Sequence, residues 1–161
     1  MPSAAETGTI STNGCAWWYD SITVTGPDSF HQTYEFQVAD GRNVLTSVSD
    51  PLDRTTEFEH DPQFRPTQIT YPEDNRVDAV YDDFGNVVSR TATPKPGSSG
   101  LNPVTETATY PTADPVLCNS TLPSMRCYRP ISSRDGLNRQ TDYEYNASGQ
   151  LTRQDDPADA S

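Results

Sequence analysis

Hydrophobic and polar positions alternate in three short stretches of this chain, residues 54–60, 75–81 and 139–145. In the first stretch Phe58 and His60 occupy every second position, and glutamates fill the positions between them. A period of two, with aromatic or β-branched side chains on one side and polar ones on the other, is typical of a half-buried β-strand. A helix would scatter these side chains around its circumference. The pattern therefore predicts strands with one solvated face.

Turns rich in Asp, Asn and Gly follow two of these strands, at residues 82–86 and 146–149. Asx side chains bond to nearby backbone, and Gly accepts a positive φ without steric cost. A second strand is expected after each turn, at 87–93 and at 151–154. The predicted unit is a β-hairpin. Because an isolated hairpin is marginal in water, neighbouring units must pair.

The hairpin pattern recurs along the chain. A shift of 85 positions superimposes two copies, with these pairs: Asp50 on Asp135, Leu52 on Leu137, Arg54 on Arg139 and His60 on Tyr145. A third copy at 75–87 places Tyr81 at 21 residues after His60. Such spacing predicts a repeat protein.

The shared pattern Leu-x-Arg-x-Thr-x-x-x-Tyr-Asp-x-x-Gly-Asn resembles the RHS/YD repeat of bacterial surface and toxin proteins and of the teneurins. Its best single match is Tyr-Asp-Asp-Phe-Gly-Asn-Val at 81–87, and the resemblance covers residues 40–157. The chain departs from the family at Asp53 and Asn138, where Gly is usual, and in two of the Tyr-Asp pairs. The resemblance implies structural repeat roles for the following residues: Leu52, Arg54, Phe58, His60, Tyr81, Asp82, Gly85, Asn86, Leu137, Arg139, Tyr143, Tyr145 and Gly149.

The resemblance also implies a fold and a function. The expected fold is all-β, with consecutive antiparallel β-hairpin repeats forming a continuous, twisted and spiralling sheet. In RHS proteins such sheets build a hollow shell around a C-terminal toxin, and teneurin-like proteins use a similar shell in adhesion. This chain has too few repeats to close a shell and lacks the family's Asp-Pro-x-Gly-Leu motif. We therefore expect a non-enzymatic structural segment, secreted or at the bacterial surface, whose partners are neighbouring repeats of the same or another copy and an enclosed toxin.

The pattern divides the chain into five segments. They are a flexible N-terminal segment at 1–14, a β region with an aromatic cluster at 15–49, hairpin repeats at 50–93, a loop-containing insertion at 94–134, and a further repeat at 135–161. Tyr81 and Tyr145 are 64 residues apart, close to three periods, which leaves room for a degenerate copy inside.

Composition narrows the functional classes. The 161 residues are 32% hydrophobic and include 14 Pro, which predicts a thin core. The net charge of −12 argues against binding to a nucleic-acid backbone, which requires a cationic surface. No apolar run approaches the roughly 18 residues of a membrane span, and the first 15 residues lack the apolar core of a signal peptide.

The aromatic cluster Trp17, Trp18 and Tyr19 allows two interpretations. It is either an edge strand that covers the sheet, or a binding surface for carbohydrate or a partner chain. A carbohydrate- or partner-binding module is therefore the rival function. Self-assembly into a filament by open-ended stacking is the third hypothesis.

Cys118 and Cys127, nine positions apart, predict a disulfide if the protein is exported. A zinc site is the poorer alternative, because two thiolates without a nearby His are an incomplete ligand set. Cys15 would remain unpaired. Neither His31 nor His60 has a catalytic partner in sequence. The acidic pairs at 82–83 and 155–156 predict turn roles rather than a calcium site, so no cofactor or metal is expected.

Overall fold

The computed structural model describes residues 9–15, 18–27, 30–112, 118 and 125–157, which form strands, turns and one 3₁₀ helix, Met125–Tyr128. The strands are β1 (Thr9–Cys15), β2 (Trp18–Thr25), β3 (His31–Ala39), β4 (Arg42–Ser49), β5 (Thr55–His60), β6 (Pro66–Thr70), β7 (Arg76–Tyr81), β8 (Val87–Thr93), β9 (Val104–Thr109), β10 (Ser132–Arg134), β11 (Gln140–Tyr145) and β12 (Leu151–Asp155).

The chain forms two compact units, Met1–Arg76 and Val77–Ser161. In the first unit β1 to β6 follow chain order, and each strand is antiparallel to the next. In the second unit β7 to β12 also follow chain order, with antiparallel pairing from β8 to β12. This arrangement confirms the predicted all-β fold of consecutive antiparallel hairpins. The boundary between the units falls inside the predicted hairpin segment 50–93.

The alternation that predicted the strands is visible in their burial. In β5 Phe58 and His60 are half-buried, whereas Glu57 and Glu59 are exposed. The strand β11 repeats this pattern, with its two tyrosines half-buried and its acidic residues exposed. Successive side chains of a strand point to opposite faces, so a period of two in sequence becomes one half-buried and one solvated face.

A row of hydroxyl side chains crosses the first unit from β2 to β5. Thr23 and Thr33 are paired, with their Oγ1 atoms 3.2 Å apart. Thr33 is opposite Ser49, whose Oγ lies 2.8 Å from Oγ1 of Thr55. The next row, on the other face, contains Ile22, Tyr34, Val48 and Thr56. One face of this sheet is therefore polar, and the other carries the larger apolar side chains.

Few side chains are buried. Among the described hydrophobic residues only Val44, Cys118 and Cys127 are buried, while Leu52 and Leu137 are 71% and 76% exposed. Sparse burial is the expected result of a low hydrophobic content spread along the whole chain. Each unit thus consists of hydrogen-bonded strands whose faces retain much contact with solvent.

Two long connections account for the irregular spacing in the second unit. Residues 94–103 join β8 to β9, and residues 110–131 join β9 to β10. From Tyr81 at the end of β7 to Tyr145 at the end of β11 there are two hairpin steps, not the three that the 64-residue interval indicated. The additional residues lie in these connections. The 3₁₀ helix ends at Tyr128, and β10 begins only at Ser132.

Candidate functional site: a repeated five-residue turn

Six turns share one backbone arrangement. In each turn the N–H of the first residue donates to the carbonyl of the fifth, and the N–H of the fourth donates to the carbonyl of the first, with N···O distances of 2.8–3.1 Å. The first residues are Asp50, Asp61, Tyr71, Asp82, Asp135 and Asn146. We call this unit the RHS turn.

The fourth residue of every RHS turn has a positive φ. The values are 57° at Asp53, 63° at Phe64, 61° at Asp74, 88° at Gly85, 62° at Asn138 and 75° at Gly149. Together with the hydrogen bonds, this matches the three-residue hairpin loop in which a type I turn is followed by a left-handed residue. Asp and Asn tolerate that conformation better than other non-glycine residues do. This tolerance explains how Asp53 and Asn138 can occupy the position at which the family usually has Gly.

The first side chain anchors the turn in five of the six cases. Oδ1 of Asp82 accepts hydrogen bonds from the backbone N–H of Phe84 and of Asn86, each at 2.9 Å. The carboxylate or amide oxygen accepts the same pair of bonds in the turns that begin at Asp50, Asp61, Asp135 and Asn146. The Asp of the Tyr-Asp pair is therefore an Asx anchor for its own hairpin.

In four of the five anchored turns the fifth residue returns a side-chain donor to the anchor. In the turn at 146–150 the direction is reversed, because Nδ2 of Asn146 donates to Oε1 of Gln150 at 2.9 Å. Nε of Arg54, Arg65 and Arg139 lies 2.8, 2.6 and 2.7 Å from Oδ2 of the Asp that begins its turn. In the turn at 82–86 the amide of Asn86 takes this role, with Nδ2 2.8 Å from Oδ2 of Asp82. The Arg of the repeat pattern thus pairs with the turn's own carboxylate.

These contacts shift the acidity of the anchors. The side-chain hydrogen bond from Arg54 lowers the pKa of Asp50. The backbone N–H of Arg139, and then its guanidinium, lower the pKa of Asp135. Partial burial raises the pKa of Asp61, but hydrogen bonds from the backbone and guanidinium of Arg65 outweigh it, so the net shift is downward. These three carboxylates therefore favour the ionised, hydrogen-bond-accepting form.

The RHS turn occurs at both ends of the strands. Its starting positions are 50, 61, 71 and 82 in the first run and 135 and 146 in the second, which gives steps of 10 or 11 residues. Two steps make the period of 21 found in the sequence. The predicted Tyr position of the repeat, occupied by His60, Tyr81 and Tyr145, lies directly before every second turn. In the other turns the fifth residue occupies the predicted Arg position.

Sequence reasoning missed the role of Asp61 and Arg65 as a further copy of the turn. A shift of 11 positions, which lays Asp50 on Asp61 and Arg54 on Arg65, carries that signal. The shift of 85 positions superimposed only turns at the same end of the strands, so it did not reveal this copy.

Other predicted site residues occupy different environments. Leu52 and Leu137 are the exposed third residues of their turns. Phe58 is half-buried on β5, and the hydroxyl of Tyr143 lies 3.0 Å from Oγ of Ser133. Trp17 lies outside the described residues, and Trp18 and Tyr19 are described only as backbone of β2. The binding role of this cluster stays a prediction.

The predicted disulfide is present, with Cys118 and Cys127 bonded through sulfur. Beside it, Nδ2 of Asn86 donates a second hydrogen bond, of 2.9 Å, to the carbonyl of Cys127. Burial, together with the charge of Asp82, raises the pKa of Tyr110 in this region. The insertion therefore contacts the RHS turn that best matches the family pattern.

A cleft of about 470 Å³ in the first unit contains His60. Its walls include Val44, Phe58 and Phe64, and the guanidinium of Arg42 lies 5.0 Å from the Phe64 ring centroid. Asp61 also lines the cleft, but its carboxylate is bound to Arg65. Among the residues that the structure describes, no cluster of His, Cys, Asp and Glu could hold a metal ion. The cleft thus offers packing contacts around a half-buried His.

Comparison with known families agrees with the geometry of the turns. The family model described as RHS Repeat matches residues 39–76, a segment that contains the RHS turns beginning at Asp50, Asp61 and Tyr71. Residues 39–76 therefore carry an RHS repeat, which is a structural repeat unit. No curated protein matches the chain. In the part of the chain that the structure describes, no helix has the length and hydrophobicity needed to cross a membrane.

Proposed function

We propose that this chain contributes β-hairpins to a shell or surface scaffold that encloses or displays a toxin, and that it has no enzymatic activity of its own. Neighbouring RHS repeats, from the same or another copy of the chain, would be its direct partners. The enclosed or displayed toxin would be the second partner.

The observation that carries this proposal is the regular return of the RHS turn at steps of 10 or 11 residues. Each turn reverses the chain, so that the next strand pairs with the last. Few of the described side chains are buried, and each strand is hydrogen-bonded to its neighbours in chain order. As in other repeat proteins, each repeat therefore depends on the next one. Such a sheet extends by adding hairpins, which is what a wall requires.

A location outside the cytosol fits the disulfide between Cys118 and Cys127. Disulfides persist in oxidising compartments and are rare in the cytosol. We therefore place the protein among secreted or surface proteins of bacteria.

The test begins with the native reading frame on both sides of this segment, followed by limited proteolysis of the full-length protein. Many further repeats before a divergent tail, with the tail resistant to protease, would support the proposal. Asp82→Ala should make the tail more accessible, because it removes a turn anchor. Asp83→Ala is the matched control, since it removes the same charge from the exposed neighbouring position.

Two outcomes would contradict enclosure. One is a reading frame without further repeats, and the other is a tail cleaved equally fast in all three proteins. Glycan binding lost on Trp17→Ala or Trp18→Ala would instead support the binding module. Filaments seen by electron microscopy would support self-assembly.

A further inference from the structure

The connection between β9 and β10 leaves the sheet at the same end of the strands as two RHS turns. In an antiparallel sheet in chain order, the links β7–β8, β9–β10 and β11–β12 all lie at one end of the strands. The first and third links are the RHS turns at 82–86 and 146–150. The second link, residues 110–131, lies within the predicted insertion 94–134 and contains the disulfide. The described residues of this link therefore lie between two turns.

Described contacts join the insertion to both turns. The carbonyl of Cys127 accepts the hydrogen bond from Nδ2 of Asn86 at 2.9 Å. On the other side, a Cβ built on Gly149 would lie 3.7 Å from Cβ of Met125, so the 3₁₀ helix packs over that glycine. Cys127 is fully buried and Cys118 is 6% exposed. Both sulfur atoms are thus shielded while the insertion is in place.

The 3₁₀ helix cannot hold this position by itself. It has four residues, and helical segments of one turn are unstable in water without other contacts. Its placement depends on the disulfide, on the Asn86 hydrogen bond and on packing. These contacts support one another, because each fixes the same short backbone segment.

We propose that the Cys118–Cys127 disulfide is a redox-sensitive latch that holds the 3₁₀ helix against the RHS turns at 82–86 and 146–150. A thiol reductant attacks one sulfur, and a second thiol resolves the mixed disulfide. The two reductant thiols supply the two electrons and two protons, so that the products are two cysteine thiols and the disulfide of the reductant. Reduction releases the helix, and the turn at 82–86 loses the hydrogen bond from Asn86 to Cys127. The latch does not depend on whether the repeats enclose a toxin.

The latch can also be tested by replacing the residue that contacts the disulfide-bonded segment, rather than by breaking the disulfide. If the disulfide stabilises the contact between Asn86 and Cys127, that contact must favour the oxidised over the reduced form by the same free energy. A reductant reaches the shielded sulfurs only when the helix detaches. We therefore expect Asn86→Ala to be reduced by dithiothreitol about tenfold faster than the wild type, the effect of one buried hydrogen bond. Asn75→Ala, at the fifth position of the turn at 71–75, should be reduced at the wild-type rate.

The experiment measures reduction by mass after alkylation of the released thiols, in the folded full chain. Hydrogen exchange of the wild-type protein supplies a second readout that needs no variant. On complete reduction, the amides of residues 82–86 should lose protection by about tenfold, whereas those of residues 50–54 should not change. Equal reduction rates for Asn86→Ala and wild type, or unchanged protection at 82–86 after complete reduction, would overturn the latch.

Discussion

The turns at 71–75 and 82–86 have the same backbone arrangement but different first residues. Both close with two backbone hydrogen bonds of 2.9–3.0 Å, and both end in Asn. In the second turn the carboxylate of Asp82 also accepts the N–H of Phe84 and of Asn86. In the first turn Tyr71 has no carboxylate to offer, and Pro72 follows it.

The two turns illustrate two sources of turn stability, a restricted backbone and a side-chain anchor. Proline fixes its own φ near the value that the first loop position of a type I turn requires, so the turn at 71–75 is preorganised by its backbone. The turn at 82–86 has Asp at that loop position and Gly85 at the left-handed position. Its side-chain anchor is the restraint that this turn has in place of proline, whereas the turns at 50–54 and 61–65 have both an Asp anchor and a proline after it. The repeat therefore tolerates the loss of its Asp where another residue restricts the chain.

The largest expected effect is that of Asp82→Ala. The substitution removes the side-chain acceptor of two backbone N–H groups and one of the two acceptors of the buried amide of Asn86, which should lower the free energy of unfolding by about 2–3 kcal/mol. Urea denaturation measures the loss. Asp83→Ala, at an exposed position, should change stability by less than about 0.5 kcal/mol. Equal losses in the two variants would show that charge, not the anchor, matters.

Tyr71→Asp should have a smaller and opposite effect. It places Asp four residues before Asn75, the spacing of the turn at 82–86, and should stabilise the chain by about 1 kcal/mol. Tyr71→Asn tests the same idea without charge, because Asn146 anchors its turn in this way. Thermal denaturation of both variants is the measurement. A loss of stability in both would mean that the tyrosine contributes contacts that an anchor cannot replace.

Asp74→Gly should stabilise the turn at 71–75 by about 0.5 kcal/mol. Asp74 has a φ of 61°, and Gly adopts this conformation at no steric cost. At Phe64, with a φ of 63°, the same substitution also removes the stacking of Arg42. Phe64→Gly is therefore the informative contrast, and its melting temperature should not rise. A parallel rise in both variants would indicate that the aromatic contact is not stabilising.

The smallest effect is the pH dependence of the anchored turns. The pKa values of Asp50, Asp61 and Asp135 are lowered below 3.8 in the folded chain. A lowered pKa gives stability that is fully present above 3.8 and is lost as the pH falls through the lowered values. Melting temperatures at pH values between about 2 and 6 should therefore fall less steeply when these three residues are replaced by Asn. Identical slopes would contradict the shifts.

The alternation of residues 54–60 and 139–145 was sufficient to predict strands, because half-burial has a period that sequence displays directly. The pairing of Cys118 with Cys127 was also predictable from its short separation. The hydrogen bond between Asn86 and Cys127 was not, since it joins residues 41 positions apart through an insertion of irregular length. A local sequence pattern predicts local geometry. The contact between an insertion and a turn depends instead on how the sheet positions the two segments.

Native-state hydrogen exchange at residues 82–86 tests the central claim, that an Asx side chain anchors the RHS turn. We would compare the amides of Phe84 and Asn86 in wild type and Asp82→Ala, with the turn at 71–75 as the internal reference. We expect the variant to lose protection at 82–86 by more than about tenfold while the reference turn is unchanged. Unchanged protection of Phe84 and Asn86 in a folded Asp82→Ala protein would contradict it.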